Sequence, residues 1–136
     1  MRFLFAVLLL SLAPIRAADA DFWKWWPKFQ AAVAASDAKG VAEGVQFPLD
    51  WENGPIRKIE SQADLEKRFS AYITPEIKKM IANRKPEKSG NGEYIITWKA
   101  RGNEYSVWFV PRGSVYALGG LSEGPPVAAI HRPPIY

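Results

Sequence analysis

Apolar residues return at helical spacing through the first part of the chain and at strand spacing through the last. Phe22, Trp26, Phe29 and Val33 recur at spacings of four, three and four, which sets them on one helix face, and Trp23 and Trp25 broaden it. Pro27 is tolerated in a first turn, so regular helix is expected from about Trp26, or else a kink there. Ser36-Asp37 ends the pattern. Ala38 to Val45 then reads as a second, shorter helix with Val41 and Val45 inward, weakened by Gly40 and Gly44. Pro48 pushes Phe47 toward extended backbone, a passage from helix into strand. Beyond the turn at Asn53-Gly54-Pro55 a short strand covers Ile56 to Ile59. Ser61 caps a helix whose stripe is Leu65, Phe69, Tyr72 and Ile73, and Thr74-Pro75-Glu76 restarts it, with Ile77, Met80 and Ile81 inward. Asn83 to Asn91 is polar and Gly-containing, and reads as a loop.

Three alternating runs follow, separated by Gly102-Asn103 and Arg112-Gly113, and predict an antiparallel meander. With Arg101 opposite Glu104, Trp98 falls opposite Val107 and Ile96 opposite Phe109. With Pro111 opposite Ser114, Phe109 falls opposite Tyr116 and Val107 opposite Leu118. Both turns then give one uncharged face of Tyr94, Ile96, Trp98, Ala100, Tyr105, Val107, Phe109, Tyr116 and Leu118. The reverse face mixes Thr97, Lys99, Arg101, Glu104 and Ser106 with Ile95, Trp108, Val110, Val115 and Ala117. A meander of this size does not repay its own ordering entropy, so the helices must pack on its apolar face. The expected class is α+β, with N-terminal helices on a strongly curved antiparallel sheet.

The first twenty residues have a different character. Arg2 precedes an apolar run from Phe3 to Leu12, and Ala18-Asp19-Ala20 is a small-x-small cleavage signal, so residues 1–20 read as a signal peptide. Ten helical residues reach about 15 Å, short of the roughly 30 Å of a hydrocarbon core. No later run is long enough to span, so no integral membrane segment is expected after cleavage. Export to a bacterial periplasm or medium follows, with residues 21–124 as the domain and 125–136 as a Pro-rich tail. The chain has no Cys, so the domain rests on packing alone, and thiolate chemistry and thiolate metal sites are excluded.

The net charge of +4 is small, and is concentrated in Lys78, Lys79, Arg84, Lys85 and Lys88, where a helix is expected to end. That cluster is either a solvated helix end or a patch for anionic lipid or polymer; it lacks the interleaved aromatics of a nucleic-acid site. His131 is the only histidine, so no multi-histidine metal site forms within one chain and no cofactor is expected. Gly119-Gly120 lacks a following helix and lysine and reads as a strand bend rather than a phosphate loop.

The order of elements, carried by the Phe22/Trp26/Phe29 helix, Asp37 at the break, Phe47-Pro48-Leu49, Ile56 to Ile59 before the Ser61-capped helix, and the Tyr94 to Leu118 meander, resembles the NTF2-like, or cystatin-like cone, superfamily. The resemblance implies a cone enclosing a pocket, and often a dimer through the outer sheet face. The superfamily includes ketosteroid-isomerase-type enzymes, which need a carboxylate base beside a hydroxyl in the cavity. Here no acid falls inward on the meander strands as read, and Asp37, Asp50 and Asp64 lie at turns or caps.

Three functions remain open. The first is a non-catalytic domain taking a small apolar or amphipathic ligand on Trp26, Phe29, Phe69, Tyr72, Tyr94, Trp98, Tyr105, Phe109 and Tyr116. The second is a cell-envelope interaction or homodimer surface at Ile95, Trp108, Val110 and Val115. The third is an enzyme.

Overall fold

In the computed structural model, residues 19–125 are described. Residues 1–18 of the leader read at 1–20, and residues 126–136 of the tail read at 125–136, lie outside them. The elements are α1 (Asp19–Ala34), α2 (Ala38–Glu43), β1 (Leu49–Asn53), β2 (Ile56–Ile59), α3 (Gln62–Lys67), α4 (Phe69–Tyr72), α5 (Pro75–Asn83), β3 (Glu87–Lys88), β4 (Tyr94–Ala100), β5 (Asn103–Arg112) and β6 (Val115–Gly124).

Local chemistry accounts for most element starts. Asp37 accepts from the Gly40 N–H at the start of α2, Ser61 from the Asp64 N–H, and Thr74 from the Ile77 N–H with Pro75 in the first turn. Helix α1 departs from the expectation, since it starts at Asp19 and runs through Pro27 without restarting at Trp26. Pro27 lies on the exposed side. Burial of Phe22 and Trp26 before it and of Phe29 and Val33 after it offsets an interior-proline penalty of about 3 kcal/mol.

The six strands form one sheet in the order β2-β1-β6-β5-β4-β3. It is mixed rather than wholly antiparallel, because β1 joins β6 in parallel through Trp51 and Leu121. The expected loop over 83–91 contains β3, a two-residue strand that pairs with Tyr94 and Ile95.

The meander differs from its expected register. Ala100 pairs with Asn103, Trp98 with Tyr105 and Ile96 with Val107, a slip of two residues. The turn is Arg101-Gly102, both at positive φ (54° and 78°), as a tight hairpin of matching twist requires. The second turn is likewise displaced, to Gly113-Ser114, so that Arg112 pairs with Val115 and Phe109 with Leu118. Side chains alternate with period two, and the inward set survives both shifts. Tyr94, Ile96, Trp98, Tyr105, Val107, Phe109, Tyr116 and Leu118 are all buried, and Ala100 is partly so.

Strand β6 runs on past Leu118 to Gly124, and its pairing shifts between Trp108 and Phe109. Trp108 pairs with Gly120 while Phe109 pairs with Leu118, so Gly119 is the extra residue of a β-bulge. A Cβ on Gly119 would stand 2.6 Å from Trp108 Cδ1, and one on Gly120 would stand 2.4 Å from Cζ2. The indole therefore lies across the two glycines. Past the bulge the inward positions change parity, and Leu121 is fully buried beside Trp51.

Candidate functional site

The nine residues expected to line a pocket are brought together by α1, α4 and the sheet into one packed core cluster. Each is at most 9% exposed. Phe22 stacks on Tyr94 with ring centroids 3.8 Å apart and meets Tyr116 edge-on at 5.0 Å, while Trp26 meets Phe109 edge-on at 5.0 Å and Trp98 stacks on Tyr105 at 5.5 Å. Two of the nine also border open space at the surface: Phe29 lines one hollow and Tyr94 another.

The hydroxyls of this face find carboxylates at its margins. Tyr72 donates to Asp64 Oδ2 at 2.7 Å, and Arg68 bonds both Asp64 and the Tyr72 hydroxyl. Tyr105 donates to Glu123 Oε2 at 2.6 Å, and Glu123 also accepts from the Gly54 N–H. Glu76 accepts from Trp98 Nε1 at 2.9 Å and from Arg101. The expectation that no acid shares the inner face of the meander strands is thus corrected by Glu123, directly across from Tyr105. It was out of sight because β6 is longer than read and its bulge changes which residues point inward.

These pairs are tuned for cohesion. The Tyr72 hydrogen bond holds Asp64 below the usual carboxylate range, and the Tyr105 hydrogen bond does the same for Glu123. Burial, then the Asp64 hydrogen bond, pushes Tyr72 up; the Glu123 hydrogen bond, then burial, pushes Tyr105 up. A general base and a proton-donating tyrosine need shifts in the opposite directions.

A pH dependence follows. Because the two carboxylates have lower pKa values folded than unfolded, the unfolded chain takes up more protons as pH falls. Their contribution is present above the ordinary carboxylate pKa and lost as pH falls through the folded values. The raised tyrosines act at the other end, and their contribution is lost as pH rises past the ordinary tyrosine value of about 10. Urea midpoints measured from pH 7 to pH 3 should fall steadily, and Asp64→Asn with Glu123→Gln should flatten that acid limb. An equally steep limb in the double variant would contradict this assignment.

A hollow outside the core lies along α1. Trp25, Lys28, Phe29, Ala31, Ala32 and Ala35 of α1 and its end, Asp37, Gly40, Glu43 and Gly44 at α2, and Arg112 and Val115 of the last hairpin enclose a groove of about 610 Å³. Its floor follows from residue size. Gly44 lies so close to α1 that a Cβ there would stand 3.3 Å from Trp25 and 3.4 Å from Phe29, whose rings stack at 4.8 Å. Small residues on both helices leave the space open above that stack. The far wall is fixed to α2, because Arg112 donates to the Glu43 carbonyl at 2.9 Å and the Val45 carbonyl at 3.4 Å. The Leu118 N–H also bonds the Gly44 carbonyl at 2.7 Å. Val115, one of two large apolar side chains standing exposed among the described residues, contributes to this wall at 44% exposure. The groove combines an aromatic floor and an aliphatic wall with lining residues of both charge signs.

Of the four outer-face residues, Ile95 pairs with Trp108 across β4 and β5, and Trp108 and Val110 both lie against Gly119, so these three half-buried side chains adjoin, while Val115 lines the groove. Among the acids singled out from the sequence, Asp37 caps α2 within the groove, Asp50 pairs in register with Lys58 at the β1–β2 hairpin, and Asp64 bonds Tyr72.

No family model, curated protein or solved structure matches the chain. Among the described residues no helix is long and apolar enough to cross a membrane.

Proposed function

We propose that the chain is a non-catalytic exported α+β domain, NTF2-like in plan, that binds a small apolar or amphipathic ligand in the groove between α1, α2 and the β5–β6 hairpin. The observation that carries this reading is the groove itself: about 610 Å³ beside a stacked Trp25–Phe29 pair, with Val115 left exposed on its wall. That volume is within the usual range for small-molecule sites. The apolar body of a ligand rests on Trp25, Phe29, Ala32 and Val115, and its polar end meets Lys28 and Arg112 or Asp37 and Glu43.

The test uses the probe anilinonaphthalene sulfonate, an apolar ring system with one charged group, followed by competition with decanoate. Saturable binding near pH 7 is expected. Ala31→Trp, at an exposed position lining the groove, should reduce it at least tenfold while leaving the unfolding midpoint unchanged. Absence of saturable binding, or binding indifferent to Ala31→Trp, would refute the groove as the site.

A further inference from the structure

The basic cluster read from the sequence at the end of α5 is divided by the fold. Lys78 turns to α1 and donates to Ser36 Oγ at 2.7 Å, whereas Arg84, Lys85 and Lys88 lie beyond the helix, along the segment that leads into and forms β3. Two adjoining hollows of about 490 and 330 Å³ share Lys85, Glu87 and Lys88; Trp23, Pro86 and Tyr94 complete the first, and Arg84 lines the second. Three cations and one carboxylate thus line the pair. Trp23 is 37% exposed, the other large apolar side chain so placed among the described residues. Its ring is held edge-on against Phe22 at 4.8 Å and Tyr94 at 5.7 Å, with Lys85 Nζ 5.5 Å from its centroid.

An immobilised, half-exposed indole beside lysines matches the interface of a bilayer, where the ring lies among headgroups and the ammonium groups meet phosphates. The exposed indole favours a bilayer over a soluble polyanion, because a headgroup layer takes up an amphipathic ring beside its phosphates, whereas a polyanion needs only the cations. We infer that Trp23, Lys85 and Lys88, with Arg84 alongside, form a peripheral docking site for an anionic lipid surface. One ring and three cations make the attachment weak, reversible and salt-sensitive.

The experiment uses protein exported by its expression host, its N-terminus read by mass spectrometry, and sedimentation with vesicles of pure phosphatidylcholine or of phosphatidylcholine containing 40% phosphatidylglycerol. Binding to the anionic vesicles should exceed binding to neutral ones and should fall as salt rises from 50 to 500 mM. At about fivefold per lysine, Lys85→Ala with Lys88→Ala should weaken it about 25-fold. Lipids brominated near the headgroup should quench part of the tryptophan emission, and Trp23→Phe should abolish that part. Circular dichroism verifies that the variants fold. Equal binding to both vesicle types, undiminished binding by the double lysine variant, or quenching that persists in Trp23→Phe would overturn the proposal. So would binding to heparin without binding to anionic vesicles, which would reassign the cations to a soluble polymer.

Discussion

Gly120→Ala is expected to be among the most damaging single-methyl additions in this protein, costing about 4 kcal/mol. Two effects add at this residue. The new Cβ would stand 2.4 Å from the Trp108 ring, and Gly120 has φ +155°, a conformation that L side chains rarely adopt. Gly119→Ala meets the same ring at 2.6 Å and Val110 Cγ1 at 2.9 Å without the backbone penalty, so it should cost less, about 2 kcal/mol. Urea unfolding of each variant in the wild-type and Trp108→Ala backgrounds separates the two terms. With the indole removed, Gly119→Ala should retain only the part owed to Val110 Cγ1, about 1 kcal/mol, whereas Gly120→Ala should retain about 2 kcal/mol. Strict additivity at both positions would mean that the ring does not lie on the glycines.

Trp51→Ala is expected to lose about 5 kcal/mol and with it the cooperative unfolding transition at 37 °C. Trp51 is fully buried, pairs with Leu121 where β1 meets β6, and donates its indole N–H to the Tyr72 carbonyl at 2.9 Å. Truncation both empties a large volume and leaves a buried carbonyl without its donor. Trp51→Phe isolates the second effect: it keeps most of the apolar volume and should cost about 2 kcal/mol. Thermal unfolding followed by circular dichroism checks both, and a Trp51→Phe variant as stable as wild type would remove the hydrogen bond from the account.

Which parts of this architecture could be read from residues alone depends on what each signal measures. The inner face of the meander was legible because alternation has period two. A two-residue register error moves Trp98 from Val107 to Tyr105 without turning either side chain over. The register was not legible, since Arg101 occupies the left-handed region at φ 54° and nothing in its chemistry announces that. Pro27 was read by its local rule, and tertiary burial on both sides of it prevailed. The groove escaped notice because its makers are small residues. Ala31, Ala32, Ala35, Gly40 and Gly44 read as helix continuation or helix weakness, and only packing α2 against α1 turns their smallness into space. The one available sign was the spacing of Gly40 and Gly44, a single turn apart on one helix face.

The bulge at Gly119 has a bearing on how this sequence can change over time. Upstream of it the even-numbered residues Tyr116 and Leu118 are buried; downstream Leu121 is buried and Glu123 reaches Tyr105. The extra glycine therefore works as a phase shifter within the strand. Deleting it would not merely shorten β6 but would invert the facing of everything after it, sending Leu121 to solvent and withdrawing Glu123 from Tyr105. A change of length by one residue in this strand would have to be matched by an opposite change nearby to preserve the fold.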